Sequence, residues 1–213
     1  MSGPGNYLFQ YAGGSFPVAL RPSGVFYCPS FPANAKYEVG SDGTLLVDWG
    51  AKFGKYTFTA SSDGWDGCKL GEPQNWRKMQ PLSPFTAEES LLMGDGGGSS
   101  WGFQWEKGEF DIELQCDGYN HFVCRQFPAH SHWTSSTLPD GKCKIDINWG
   151  QYGEYEMVLD AATKSMVGCK KGQPTNWRKA YWKGPLGMDV LHAGHAHDHA
   201  HSHSHGETCS HPH

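Results

Sequence analysis

Histidine occupies every second position from His195 to His205 (His195, His197, His199, His201, His203 and His205), and His192, Cys209, His211 and His213 flank that run. In an extended chain alternate side chains emerge on the same face, so successive imidazoles can reach one ion. Imidazole nitrogen suits Zn²⁺, Ni²⁺ and Cu²⁺, and the Cys209 thiolate draws the preference toward softer ions. The spacers within the run are Ala, Ser and one Asp. They impose little geometry, so the segment reads as a loose chelator of several divalent transition-metal ions. With few large apolar groups to offset chain entropy, residues 188–213 are expected to be disordered when metal-free.

A smaller histidine group, His121, His130 and His132, lies near Cys124. If residues 130–132 are extended, both rings of His-Ser-His point the same way, and with His121 and Cys124 they offer a second metal site. The bland alternative is surface histidine. An enzymatic site built on these residues needs them to converge in one cleft. No phosphate loop, H-E-x-x-H metal motif or nucleophile–base signature appears elsewhere, and no organic cofactor is indicated.

A third chemistry is carried by Asn-Trp-Arg-Lys, which occurs at residues 75–78 and again at 176–179. Trp76 and Trp177 could stack on a ligand while Arg77 and Arg178 anchor an anion, with Trp49 and Trp149 completing two equivalent pockets for a small apolar molecule or a glycan. Alternatively the strand closes a barrel, with its Trp in the core and its Arg outside or stacked on an aromatic face.

These motifs recur because the chain contains itself twice. Phe9-Gln10 returns as Phe103-Gln104, Phe31-Pro32-Ala33 as Phe127-Pro128-Ala129, Trp49-Gly50 as Trp149-Gly150, and Gly67-Cys68-Lys69 as Gly168-Cys169-Lys170, the offset growing from 94 to 101 residues. Order is kept throughout, which identifies an internal duplication. His121, His130 and His132 face Val25, Asn34 and Lys36 in the first copy, so the repeated scaffold does not require them.

Each copy is a succession of short alternating segments separated by turn residues. In the first copy the pattern predicts strands over 8–12, 16–21, 25–28, 35–39, 44–49, 55–60, 65–70 and 76–80. Asp42-Gly43 and Asp140-Gly141 suggest type I′ hairpin turns. The expected fold is therefore all-β: an internally duplicated antiparallel meander forming barrel-like modules, either two small ones or one combined barrel. The divisions expected are a first repeat over 1–86, a Gly/Ser-rich linker over 87–100, a second repeat over 101–187 and the tail over 188–213. Thr86-x-x-Glu89 resembles a capping box that would start a short helix in the linker.

In style, these short aromatic strands resemble the up-and-down barrels of lipocalins and fatty-acid-binding proteins, which implies a β-barrel binder. The tail resembles the histidine-rich tails of nickel and zinc metallochaperones, which implies metal handling.

Composition narrows the partners. With 28 Gly, 13 Pro, 14% aromatic residues and 18% charged residues, the chain suits a turn-rich β protein. A net charge of −5 without long Lys/Arg clusters argues against nucleic acid. No apolar run is long enough to span a bilayer, and the N-terminus lacks the pattern of a secretory signal. A cytoplasmic setting is expected, where the seven cysteines would stay mostly reduced. The function expected is a non-enzymatic β-barrel binding protein with a metal-binding tail. The alternative is a small-molecule or glycan binder whose tail is incidental.

Overall fold

A computed structural model describes residues 3–193 of the protein, with the side chains from residue 192 onward outside that description. Two sheets of eight strands each contain all sixteen of its named strands, and neither sheet borrows a strand from the other. The first comprises β1 (Gly5–Tyr11), β2 (Gly14–Leu20), β3 (Phe26–Tyr27), β4 (Lys36–Val39), β5 (Leu45–Asp48), β6 (Lys55–Ser61), β7 (Gly64–Lys69) and β8 (Glu72–Ser83). The second repeats them as β9 (Gly98–Trp105), β10 (Gly108–Gln115), β11 (Phe122–Val123), β12 (His132–Thr137), β13 (Cys143–Asn148), β14 (Glu154–Asp160), β15 (Ser165–Lys170) and β16 (Gln173–Leu186).

Within each sheet every strand lies beside its neighbour in sequence, and β1 also pairs with β8 as β9 does with β16. The remaining edges, β3 with β4 and β11 with β12, are joined by isolated antiparallel bridges, Val25 to Lys36 and His121 to His132. Hydrogen bonds beside each bridge tighten the seam: Phe26 N to Ala35 O at 3.0 Å and Tyr37 N to Gly24 O at 2.7 Å, then Phe122 N to Ser131 O and Trp133 N to Asn120 O, both at 2.9 Å. Each repeat thus rolls into its own nearly closed barrel, which leaves little open strand edge. The choice left open by the pattern is resolved as two barrels.

Alternation fills the interiors. Tyr7 and Phe9 of β1, Leu45 and Val47 of β5 and Phe58 of β6 belong to one buried cluster; Phe103, Ile145, Ile147, Met157 and Leu159 belong to another. The clusters share no residue, so each barrel has its own core. Burying one such side chain stabilises the fold by roughly 1.5–3 kcal/mol.

The segment between the repeats does more than connect. Helix α2 (Ala87–Met93) begins at the expected capping box, in which Thr86 Oγ1 accepts from Glu89 N and the Glu89 carboxylate accepts from Thr86 N. Its Leu92 and Met93 enter the second core, and β9 starts at Gly98, within the stretch expected to be linker. The preceding α1 (Gly50–Phe53) is a single turn after Trp49, matched by a 3₁₀ turn at Gly150–Tyr152.

The Asp-Gly turns differ from expectation. Gly43 and Gly141 take φ of 79° and 86°, but neither Asp42 nor Asp140 has positive φ, so these are not type I′ turns. The aspartates instead accept from the backbone N–H two residues ahead, Thr44 at 2.9 Å and Lys142 at 3.2 Å. That side-chain bond provides a local alternative to a left-handed pair.

The barrels meet through Arg21, only 6% exposed. Its guanidinium donates to Asp117 O at 3.0 Å and Asn120 Oδ1 at 2.9 Å, and lies 4.0 Å from the Tyr27 ring centroid. Asn120 in turn donates to the Tyr27 hydroxyl at 2.9 Å. No helix is long and apolar enough to cross a membrane among the described residues.

Candidate functional site

The repeated Asn-Trp-Arg-Lys strand carries an unexpected phase. Arg77 and Met79 face the barrel interior, while Trp76 stands outside at 47% exposure; Arg178 and Ala180 face inward, with Trp177 outside at 40%. This reverses the inward tryptophan of the barrel-closing reading, whereas each arginine lies over aromatic rings, as that reading also allowed. Arg178 is itself only 8% exposed.

Asparagine holds each guanidinium in place. Arg77 Nη1 donates to Asn75 Oδ1 at 2.5 Å and to Trp76 O at 2.7 Å; Arg178 Nη1 makes the same two bonds to Asn176 and Trp177 at the same distances. The geometry of the motif is therefore duplicated: Asn anchors one nitrogen, which leaves Nε and Nη2 of both arginines without a protein acceptor among the described residues. Each guanidinium also lies over aromatic rings, Arg77 at 5.2 Å from Tyr56 and 5.6 Å from Tyr11, Arg178 at 5.0 Å from Tyr155 and 5.8 Å from Trp105.

Below each arginine lies an aromatic bowl. In the first barrel Phe9, Tyr11, Phe16, Phe31, Trp49, Phe53, Tyr56 and Arg77 line a cavity of about 170 Å³. Trp49 forms its floor, fixed by an Nε1 bond to Phe31 O at 3.2 Å. The second barrel has aromatic residues at all the matching places, and Trp149 Nε1 donates to Phe127 O at 3.1 Å. Beside this second bowl a cleft of about 580 Å³ is lined by Trp105, Glu106, Lys107, Gln173, Thr175, Asn176, Trp177 and Arg178; of the matching residues only Trp105 and Arg178 line it, and Trp149 does not. Beneath both bowls the barrels are filled by side chains such as Leu45, Phe58, Met79, Ile145 and Met157, each no more than 1% exposed. A ligand would sit in the mouth and not in a deep cavity.

Of the residues expected to line pockets, Trp49 joins Arg77 in one bowl and Trp177 joins Arg178 at the other cleft, while Trp76 lies on the outer surface. Sequence reasoning missed Tyr11, Phe16, Phe31, Phe53 and Tyr56. Their signal was the return of an aromatic at each matching position: Trp105, Phe110, Phe127, Tyr152 and Tyr155.

Glycine shapes the wall opposite the arginines. Gly67 and Gly168 pair with Arg77 and Arg178. A Cβ at either position would collide with a backbone oxygen, that of Thr57 or of Glu156. This explains why glycine precedes Cys68 and Cys169.

The second histidine group gathers at the closing seam of the second barrel. The His121 and His132 rings lie 4.9 Å apart and those of His130 and His132 4.6 Å apart, centroid to centroid. Cys124 does not join them: it shares the inward face with Phe122 and is 4% exposed. Burial raises its thiol pKa, which the N–H groups of Phe127 and Gln126 only partly oppose. Among the described residues no group of three or more His, Cys, Asp or Glu is placed to hold a metal ion.

The six cysteines of the described residues are free thiols. Burial pushes Cys28 and Cys143 up to about 11. His195, His197, His199, His201, His203, His205, Cys209, His211 and His213 lie outside the described residues, as does the His192 side chain; the His192 backbone lies within α3 (Val190–Ala193).

Neither a family model, nor a curated protein, nor a solved structure matches this chain.

Proposed function

We propose that the protein is a small-molecule binding protein whose two barrel mouths are its ligand sites. The observation that carries this reading is the duplicated pairing of an inward, asparagine-anchored arginine with an aromatic bowl. Nε and Nη2 of each arginine remain open to an acceptor from outside the protein, and each bowl keeps aromatic faces beside it. A ligand that covers the rings and accepts from the arginine uses both.

The mouths suit different molecules. The first is narrow and almost wholly aromatic, which favours a small, flat apolar ligand. The second is wider, with amides, a hydroxyl, an exposed Trp177 and a half-buried Trp105, a combination that suits a glycan. Titrating ¹⁵N-labelled protein with indole and with a chitin oligosaccharide tests this. Saturable shifts are expected at the Trp49 and Trp149 indole N–H groups, and Arg77→Gln and Arg178→Gln should each weaken binding at their own mouth by about tenfold or more, the scale of one hydrogen bond to a charged group.

A second reading rests on the sequence of the tail. Alternating imidazoles with Cys209 support a metal-sequestering appendage for Zn²⁺, Ni²⁺ or Cu²⁺, independent of the barrels. Calorimetry should show several ions bound per chain at neutral pH and their release on acidification, as imidazoles protonate. A full-length variant with Ser at the tail histidines and Cys209 should lose that uptake; equal uptake by both proteins would sink the reading.

A further inference from the structure

We propose that the mouth of the second barrel takes an acidic glycan, whose carboxylate is held side-on by Nε and Nη2 of Arg178. This rests on the reading of the barrel mouths as ligand sites and assigns one of them its ligand class. Every acceptor that the chain offers Arg178 lies on Nη1: Asn176 Oδ1 at 2.5 Å, Trp177 O at 2.7 Å and Asn176 O at 3.4 Å. Nε and Nη2 form the edge of the guanidinium that matches the two oxygens of a carboxylate. Arg178 is 8% exposed and lines the cleft with Trp105, Gln173, Thr175 and Trp177, so a ligand reaches the guanidinium from that side.

The two mouths differ by one carboxylate. Glu72 of the first repeat is Gln173 in the second. Both side chains hold the anchoring asparagine: Asn75 Nδ2 donates to Glu72 Oε2 at 2.9 Å, and Asn176 Nδ2 to Gln173 Oε1 at 3.1 Å. In the first barrel this relay ends on a charge. Hydrogen bonds from Lys69 and Asn75 hold the Glu72 carboxyl below its ordinary range against burial, and the charges of Lys69 and Arg77 add to them. Arg77 therefore already has an anion in its field, paired with Lys69 at 2.8 Å.

In the second barrel the relay ends on a neutral amide. Lys170 stands at the place of Lys69, and neither it nor Arg178 pairs with a carboxylate among the described residues. The register sets Lys170 between Gln173 and Tyr155, the residue whose ring lies under Arg178. Two other ionic groups line the cleft, Glu106 and Lys107, opposite in sign and both exposed at the turn before β10. They leave the arginine charge without a counterion. A carboxylate supplies it, while the Thr175 hydroxyl and Gln173 amide suit sugar hydroxyls and the tryptophan faces suit sugar rings.

The test follows the Arg178 Nε–H and the Trp105 and Trp177 indole N–H signals of the full-length ¹⁵N-labelled protein. The probes are a hyaluronan tetrasaccharide, which carries uronate groups, its methyl ester, which keeps the skeleton without the charge, and inorganic sulfate. The acid should bind about tenfold or more tightly than the ester, the scale of one hydrogen bond to a charged group, and equimolar sulfate should not displace it. Arg178→Lys keeps the charge but loses the fork, and should bring the acid down to the level of the ester. Gln173→Glu keeps the acceptor for Asn176 and adds the carboxylate of the first barrel. It should weaken the acid by about threefold at low salt and leave the ester unchanged. Melting curves check folding; if Arg178→Lys melts out, Gln173→Glu at its exposed position carries the test. Equal binding of acid and ester would overturn the carboxylate site and leave the mouths as ligand sites. Displacement by sulfate, or an acid preference that survives Arg178→Lys, would overturn the fork. If neither hyaluronan probe gives saturable shifts the proposal fails, and the reading of the mouths fails with it only if indole and the chitin oligosaccharide are equally silent.

Discussion

At the residue scale, the informative event is a reversal of phase along one strand. In Trp76-Arg77-Lys78-Met79 alternate residues share a face, so either Trp76 with Lys78 or Arg77 with Met79 must point inward. The larger tryptophan favours the first choice and the structure takes the second. The guanidinium lies over the rings of Tyr11 and Tyr56, which belong to distant positions in sequence, and the paired Gly67 has no room for a side chain against Thr57 and Phe58. No local pattern contains that information. Gly168→Ala tests the matching glycine of the second barrel. The added methyl meets the Glu156 backbone, so the variant should lose about 1–3 kcal/mol, the range of overpacked cores, in urea unfolding. The buried thiols give a second prediction. Cys28 and Cys143 are held up to about 11 by burial, whereas an unfolded thiol ionises near 8.5–9. The unfolded chain therefore binds fewer protons than the native one between about pH 9 and 11. Stability is full below that window and falls as pH rises through it, at most about 1.4 kcal/mol per pH unit for each thiol. Unfolding midpoints measured from pH 8 to 11 should fall, and Cys28→Ala with Cys143→Ala should flatten the slope.

At the element scale, the eight strands of each repeat were largely legible, because alternation and turn residues are local signals that the barrel keeps. Boundaries moved by a few residues, and the long last strand runs to Ser83 in the first barrel and Leu186 in the second. The helix start was legible too, since a capping box depends on four consecutive residues. Its destination was not: Leu92 and Met93 look like part of a connector until the second core is seen to receive them. Helix α2 therefore has a structural role that its Gly-rich sequel conceals. Leu92→Ala should destabilise the second barrel by about 2–5 kcal/mol through the cavity it leaves. Thr86→Ala removes only the cap and should cost about 1 kcal/mol. Thermal melts of both variants check the order; a cap variant as damaging as the core variant would mean that α2 is held by its end and not by its packed face.

At the scale of the whole molecule, duplication produced two barrels with matching mouths and different seams. The mouths kept aromatic rings and arginine at equivalent positions, while the seam acquired three histidines in one copy only. Arg21 makes the buried charged contact between the barrels, its acceptors coming from the far repeat, beside the Asn120 to Tyr27 bond and the close approach of Gly118 to Ala33. Gln115 stands at the corresponding place in the second copy, so the repeat pattern could not announce it. Removing one partner of a buried charged hydrogen-bonded group costs about 1.5–3 kcal/mol per bond. Arg21→Ala should therefore uncouple the barrels and split one calorimetric transition into two; a single unshifted transition would show that the interface is held elsewhere.

The two mouths carry the main functional proposal, and site-resolved NMR addresses them most directly. Indole and a chitin oligosaccharide are titrated into the full-length protein while the Trp49 and Trp149 indole signals and the Arg77 and Arg178 Nε–H signals are followed. Binding at the mouths predicts saturable shifts confined to those groups, with each arginine variant losing only its own set. Shifts that never saturate, or that map to the outer faces of the barrels with the mouth signals unmoved, would contradict it.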